Sequence, residues 1–325
     1  MILGLAGDTM LGRLVGRRLA TVPAASLVSS EVVAVAHEAD LFVLNLECCI
    51  SERGSPWPDP GKPFFFRAPP AALDVLALLG VDAVTLANNH ALDFGPVALL
   101  DTFTHLDDAG ITWVGAGPDE RRAQAPITLE ADGYQLTVLA CTDHPADYAA
   151  GPHQPGLAWA DLQREVPTWL RDELTTATAA AVTSTRPAGV LVTPHWGPNM
   201  VGEPVPHVRR AAKELRQGGA TLVAGHSAHV FHGVERGVLY DLGDFLDDYA
   251  TDAILRNDLG LMYLVEVNED GPRRVQAIPL RLEYCHTRLA DRDEAAWITR
   301  RFHHACAAFG TDVQVEDDRL VITWE

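Results

Sequence analysis

What most restricts this chain is the position of its metal-ligand-type residues. Five short apolar runs each end in them. Met1–Ala6 runs into Gly7–Asp8, and Leu41–Leu46, which carries Asn45, runs into Glu47. Val81–Leu86 runs into Asn88–Asn89–His90, Val190–Thr193 into His195–Trp196–Gly197, and Thr221–Ala224 into Gly225–His226–Ser227–Ala228–His229. Continuous apolar runs of this kind read as strands buried on both faces. Amphipathic helical stretches separate them, around Val32–Glu38, Ala71–Leu79, Pro96–Asp108, Asp161–Ala181 and Val208–Gln217. Strands alternating with helices predict an α/β fold. Such sheets bind ligands beyond the carboxyl ends of their strands, which is where the polar clusters fall.

Composition narrows the function. A hydrophobic fraction of 47% and a charged fraction of 21% predict a packed core. Lys plus Arg is 25 and Asp plus Glu is 44, a formal net charge of −19. That balance argues against nucleic acid and anionic membranes as partners, since both need a basic face. An anionic small substrate stays open, because a bound metal reverses the local field. The five cysteines include adjacent Cys48 and Cys49, while Cys141, Cys285 and Cys306 are scattered. This is neither a disulfide framework nor a thiolate zinc site, and it predicts buried small side chains in a reducing compartment. No stretch is long and apolar enough to span a membrane, and Asp8 cuts the first apolar run too soon for a signal peptide. The expectation is a cytoplasmic chain without a membrane anchor.

From Val234 to Glu283 the pattern turns strand-rich, with Gly237–Tyr240, Leu261–Val267 and Val275–Leu282 and a turn at Asn268–Gly271. An amphipathic helix follows at Glu294–Phe309, then a hairpin with Asp317–Asp318 at its tip. Proline-rich Ser51–Pro70 and Asp143–Trp159 read as long loops over the sheet rim. With no repeat or linker, the expectation is one domain over residues 1–325, with core motifs in 1–245 and further strands and a helix in 246–325.

Taken singly, these polar residues are ordinary: Asp8 could cap a helix, and a lone His195 is usually structural. Together, Asp, Glu, Asn and three His form an oxygen and nitrogen set suited to Zn, Mn or Fe. Two such ions sharing a carboxylate can activate water and stabilise a developing oxyanion.

The strings Gly7–Asp8–Thr9–Met10–Leu11–Gly12–Arg13, Asn45–Leu46–Glu47, Phe66–Arg67–Ala68–Pro69, Leu86 to Gly95 (LANNHALDFG), His195–Trp196–Gly197 and Gly225 to Val230 (GHSAHV) occur in this order. Together they resemble the signature of the CapA family. This is the capsule or poly-γ-glutamate synthesis branch of the calcineurin-like metallophosphoesterase superfamily. The resemblance implies a four-layer α-β-β-α sandwich with one or two divalent metal ions. It implies that Asp8, Glu47 and His229 surround one metal position. Glu47 would bridge to a second, completed by Asn89, His195 and His226. His90 would act on the leaving group, and Arg67 and Trp196 would line the substrate side. The chain departs from the superfamily pattern at Met10, where a histidine ligand is usual, and at Glu47, where the bridging residue is usually Asp. It departs again at Tyr240 to Phe245 (YDLGDF), where Asp241 and Asp244 replace the family's Ser and Asn.

Three functions follow from the resemblance. The favoured one is a metal-dependent hydrolase of an ester, phosphoester or amide/γ-glutamyl bond, acting on a small molecule or peptide. The second is a metal-independent peptide α-carbon epimerase, using Asp8 with His229 or His226 as an acid–base dyad. The third is a non-catalytic accessory protein that binds polyglutamate or peptide. Other residues receive structural readings: Asp93 orients the turn after His90, His144 is a weak supporting candidate, Phe64–Phe66 is loop packing, and Asp247, Asp248 and Asp252 are surface acids.

Overall fold

A computed structural model describes residues 1–324. Two sheets face one another. The larger has ten strands; its path runs Gln314–Glu316, Arg319–Thr323, Gly271–Glu283, Leu259–Asn268, Ile2–Thr9, Leu41–Leu46, Ala83–Thr85 and Thr112–Val114. Asp244–Leu246 adds in parallel beside Ile2–Thr9, and His286–Leu289 pairs with Gly271–Glu283. The six-stranded sheet runs Val234–Glu235, Val238–Leu239, Leu222–Ala224, Ala188–His195, Tyr134–Thr142 and Ile127–Ala131.

Period-two alternation sorts the strand side chains into three cores. Leu3, Leu5 and Val43 meet Val138, Leu191 and Leu239 between the sheets. Their strand neighbours Phe42 and Leu44 point outward, toward Val32, Leu76, Leu99 and Leu106 of helices Ser30–Ala36, Leu73–Leu79 and Gly95–Asp108. Leu139, Val190 and Val192 point the other way, toward Leu170, Leu174, Ala211 and Leu215 of helices Thr168–Thr183 and Pro206–Gln217. The result is the α-β-β-α sandwich. A last helix, Arg292–Ala307, starts at an Asp291–Glu294 capping box and buries Ile298, Phe302 and Cys306 in the inner core.

Boundaries moved where local chemistry decided them. The helix expected from Asp161 begins at Thr168, because Pro167 holds residue 166 out of helical conformation. Both residues of the hairpin tip, Asp317 and Asp318, have positive φ (46° and 64°), as a two-residue type I′ turn requires. All five cysteines are free and buried. Among the described residues no helix is long and apolar enough to cross a membrane.

The strands Ile2–Thr9, Leu41–Leu46 and Ala83–Thr85 are mutually parallel, as are Tyr134–Thr142, Ala188–His195 and Leu222–Ala224. Their carboxyl ends therefore deliver Asp8, Glu47, Asn88–His90, Asp143, His195 and His226 to one rim.

Candidate metal centre

The pocket begins at Gly7. The register between Ile2–Thr9 and Leu41–Leu46 shifts between Ala6 and Asp8. A bulge there re-aims the residue that follows it. Asp8 is fully buried; its Oδ1 accepts from Asn45 Nδ2 at 2.7 Å, and Asn45 Oδ1 accepts from Asn88 Nδ2 at 2.9 Å. Asn88 also anchors the next turn, its Oδ1 accepting from the backbone N–H groups of His90 and Ala91 at 3.0 Å each. A chain of amides thus fixes three strand ends in register.

Two groups of ligand atoms meet at Asp8. Asp8, His195 and His226 form one; Asp8, Glu47, His229 and Asp244 form the other, with the atoms of each group within 4.8 Å of one another. His226 Nδ1 lies 3.7 Å from Asp8 Oδ1, and His229 Nδ1 lies 3.4 Å from Asp8 Oδ2 and 2.7 Å from Asp244 Oδ1. The residue common to both groups is Asp8, whereas the family resemblance assigned the shared position to Glu47. Glu47 and Asp8 differ in backing: Glu47 Oε2 accepts from the Tyr249 hydroxyl at 3.0 Å, and Glu47 Oε1 has no partner.

The donor set fits a divalent cation. Asp8 Oδ2, Glu47 Oε1, Asp244 Oδ2, Asn89 Oδ1 and His195 Nε2 are buried atoms with no hydrogen-bond partner. Leaving so many polar atoms unsatisfied is expensive without a ligand. Burial raises the Asp8 carboxyl, and it raises Glu47 well above its ordinary value with help from the nearby Asp8 charge. Asp244 is likewise raised by burial and by Asp247. Burial alone pulls His229 down, but Glu47 and Asp8 outweigh it and its pKa is raised. The remaining imidazoles stay neutral: burial lowers His226 to about 3, and burial with the neighbouring His226 takes His195 well down. Their Nδ1 atoms sit 2.7 Å apart, a contact two imidazolium ions would not make. Neutral imidazole beside crowded carboxylates is the state in which such residues ligate metal.

The His226–His229 loop is held under tension. Ser227 has φ 124° and His229 φ 60°, in a region costly for residues with a side chain. Buried Asp241 restrains it, accepting from Ala228 N and Gly243 N at 2.9 Å each.

His90 stands beside this centre. Asp93 is fully buried; it accepts from His90 Nδ1 at 2.6 Å, Phe66 N at 2.7 Å and the Tyr148 hydroxyl at 2.9 Å, and it forms an ion pair at 3.0 Å with Lys62 Nζ, which donates to Asn89 O at 2.7 Å. A carboxylate so occupied requires the His90 proton on Nδ1, leaving Nε2 as the free nitrogen. Burial lowers His90 to about 4, against the pull of Asp93. Phe66 stacks on the imidazole with ring centroids 3.8 Å apart.

Several sequence expectations change. Trp196, expected on the substrate side, is 2% exposed; its Nε1 donates to Tyr240 O at 2.9 Å inside the outer core. Gly225 lets it lie there, because a Cβ on that residue would sit 2.3 Å from the indole nitrogen. The Arg67 guanidinium stacks on Phe94 at 4.2 Å and donates to Arg53 O at 2.8 Å, so it braces the 51–70 loop. Lys62 pairs with Asp93 beside His90, and the Arg13 guanidinium lies 5.6 Å from the Phe66 ring centroid and 3.2 Å from Asp248. Asp247 and Asp248 are buried, 6% and 2% exposed, because the Asp244–Leu246 strand carries them under helix Arg13–Leu19, where Asp248 accepts from Leu14 N at 2.9 Å. Asp252 is half-buried and caps the turn at Ile254 and Leu255. His144 is bonded to Asp143 and lies with its ring centroid 5.3 Å from that of His195. Sequence reading missed Asp244, Tyr249 and Lys62. Asp244 and Lys62 carried a signal: an acid where the family has Asn, and one of only two lysines in the chain.

A probable polyglutamine synthesis accessory protein of Mycobacterium tuberculosis is 30% identical over 300 residues, covering 87% of this chain and 76% of the relative. The PGA biosynthesis protein CapA of Bacillus subtilis is 25% identical over 248 residues, covering 74% and 62%. Among solved structures, a phosphatase from Mycoplasma pneumoniae aligns with TM-score 0.49 at 10% identity, covering 91% of this chain and 96% of that one. A 5′-nucleotidase precursor from Thermus thermophilus aligns with TM-score 0.47 at 12% identity, covering 97% and 61%. The bacterial capsule synthesis protein PGA_cap family matches residues 2–249, a span holding every ligand atom described above, and the chain belongs to that family.

Proposed function

We propose that this chain is a metal-dependent hydrolase of an ester, phosphoester or amide bond, γ-glutamyl amides included. The observation that carries the reading is Asp8 shared between two groups of buried, unsatisfied ligand atoms. His195 and His226 would complete one metal position, and Glu47, His229 and Asp244 the other, with Asn89 Oδ1 as a neutral oxygen donor. One or two divalent cations, Mn, Zn or Fe, would supply Lewis acidity, activating water at neutral pH and offsetting charge on the substrate oxygen.

The protein's own groups do the rest. Asp93 holds His90 in one tautomer, so Nε2 is the atom that exchanges a proton with the leaving group. His90 is neutral in the free protein, and an anionic substrate beside it favours the imidazolium that can donate. Tyr249 fixes the rotamer of Glu47, and Phe66 closes one face of His90 to water. Lys62 and Arg13 attract a substrate anion to a rim otherwise dominated by acids.

The test is metal analysis of protein purified without chelator, together with hydrolysis of bis(p-nitrophenyl) phosphate. Bound metal that is lost in Asp8→Asn, and a rate lowered about 10²–10⁴-fold in His90→Gln, are expected. No metal and no turnover with added Mn or Zn would overturn the reading. The His229–Asp8 contact of 3.4 Å supports a second reading, the metal-independent epimerase. Deuterium incorporation at a peptide α-carbon in heavy water by metal-free protein would favour it over hydrolysis.

A further inference from the structure

Away from the metal centre, one arginine lacks the counter-charge its surroundings call for. Arg301, on helix Arg292–Ala307, is half-buried between two aromatic rings, its guanidinium carbon 5.2 Å from the Phe231 centroid and 5.5 Å from that of Trp297. Nη1 donates to Leu255 O at 3.0 Å, whereas Nη2 is buried with no hydrogen-bond partner among the described residues. No ion pair to Arg301 occurs among the described residues, although Arg256, over the same Trp297 ring, is bonded to both oxygens of Asp258. A half-buried guanidinium with one covered nitrogen unbonded carries a desolvation cost that an anion would offset.

Arg301 lines a cavity of about 220 Å³ with Arg209, His304, Phe309 and the Gly202–Glu203–Pro204 turn. Arg209 lies over Phe309 at 4.8 Å, and its Nε donates to Pro204 O at 3.2 Å. Glu203, exposed, is the acid of this lining. A neighbouring cavity of about 560 Å³ shares Arg209 and Phe309 and adds Lys213, Arg216 and Arg236, with Glu235 as its acid. Glu235 is already engaged as acceptor of the Tyr240 hydroxyl at 2.7 Å. Cations therefore concentrate here on a molecule whose formal charge is −19, and the local potential runs opposite to the net charge.

From this geometry we infer that Arg301 and Arg209 form a binding site for a small oxyanion, a carboxylate or phosphate group. Planar guanidinium suits bidentate contact with such groups, and the aromatic rings hold it in place before binding. Nη2 has no exposed surface in the free protein and is bordered by Gly202, so the ligand bonds it only as the Gly202–Glu203–Pro204 turn shifts aside. The site is joined to the metal centre by one short loop: Asn199 Nδ2 lies 3.2 Å from His229 Nε2, Met200 N donates to Ala228 O at 3.0 Å, and His232 Nε2 meets Val201 O at 2.9 Å before the chain reaches Gly202. An anion seated on Arg301 thus touches the loop that packs on His229. The inference does not depend on the hydrolase reading.

The test is isothermal titration of the metal-free full chain with inorganic phosphate and separately with glutarate, at constant ionic strength. It uses the wild type, Asp8→Asn, Arg301→Met and Arg209→Gln. Binding by one or both probes, retained in Asp8→Asn and weakened at least about tenfold in Arg301→Met and in Arg209→Gln, is expected. Which probe binds tighter tells a phosphate site from a carboxylate site. Arg301→Met should keep or raise the melting temperature in chloride buffer, because Met packs between the rings without a buried charge, so lost binding is not lost folding. Arg209, on the surface, provides the second variant if Arg301→Met does not fold. Absence of binding by both probes, equal binding in the Arg209 variant, or binding abolished by Asp8→Asn would each overturn the proposal.

Discussion

Replacing Asp93 with Asn tests whether His90 is positioned by a fully occupied carboxylate. Asp93 Oδ2 accepts from His90 Nδ1 and Phe66 N, while Oδ1 accepts from the Tyr148 hydroxyl and pairs with the Lys62 ammonium. An Asn side chain has one oxygen and one NH₂ group: with the oxygen toward His90 and Phe66 both of those bonds survive and the Tyr148 hydroxyl can turn to accept from the NH₂, but both bonds lose the carboxylate charge and Lys62 loses its counter-ion. Changing two charge-assisted bonds to neutral ones costs about 1 kcal/mol each, and the lost Lys62 pair adds up to about 1 kcal/mol, giving about 2–3 kcal/mol for Asp93→Asn. Tyr148→Phe removes one donor and leaves the carboxylate satisfied by the others, so it should cost only about 0.5–1.5 kcal/mol. Urea unfolding of wild type and both variants measures this, read from the midpoint with the slope held constant. If Asp93→Asn costs under about 1 kcal/mol, or no more than Tyr148→Phe, the account of Asp93 as a charged, fully engaged carboxylate is wrong. The inference that His90 carries its proton on Nδ1 would fall with it.

Other perturbations have equally definite outcomes. Mn or Zn added to metal-free protein should raise the melting temperature, and Asp8→Asn should abolish the rise, because binding to the folded state alone adds stability. A rise of equal size in the variant would place the metal elsewhere. Burial lowers His232 to about 4, so as pH falls from about 6.5 the unfolded chain takes up its proton first. Stability present above pH 6.5 is thus lost toward pH 4, and at pH 4.5 this group accounts for about 2–3 kcal/mol. Denaturant unfolding at pH 7 and 4.5 should show a drop smaller by that amount in His232→Gln; an unchanged drop refutes the assignment. Gly7→Ala should prevent normal assembly of the rim, since its Cβ would meet Gly243 O at 1.9 Å; wild-type stability and metal binding would refute the close approach.

Much of the site could be read from the chain because strand ends obey a simple rule. Apolar runs buried on both faces stop where the backbone leaves the sheet, and the next polar side chain marks that point. Asp8, Glu47, Asn89, His90, His195, His226 and His229 announced themselves in this way, as did the order of strands and helices. Asp93 did too, three residues beyond His90 and able to bond back to it. Asp244 showed only as an acid where the family has Asn, and Tyr249, Asp247 and Asp248 not at all, because a polar stretch after a strand looks the same in sequence whether it is solvated or folded beneath a helix. Trp196 misled for the opposite reason: its neighbour His195 enters the pocket, and adjacent strand residues point to opposite faces.

Sequence alone determined the α/β alternation, the set of oxygen and nitrogen donors and the rim on which they sit, because those depend on local periodicity and chain order. The tertiary structure decided that Asp8 lies between the two donor groups, that Asp93 is saturated and that Arg301 stands without an anion. Those are matters of distance between segments far apart in the chain, and hydrophobic periodicity carries no information about them.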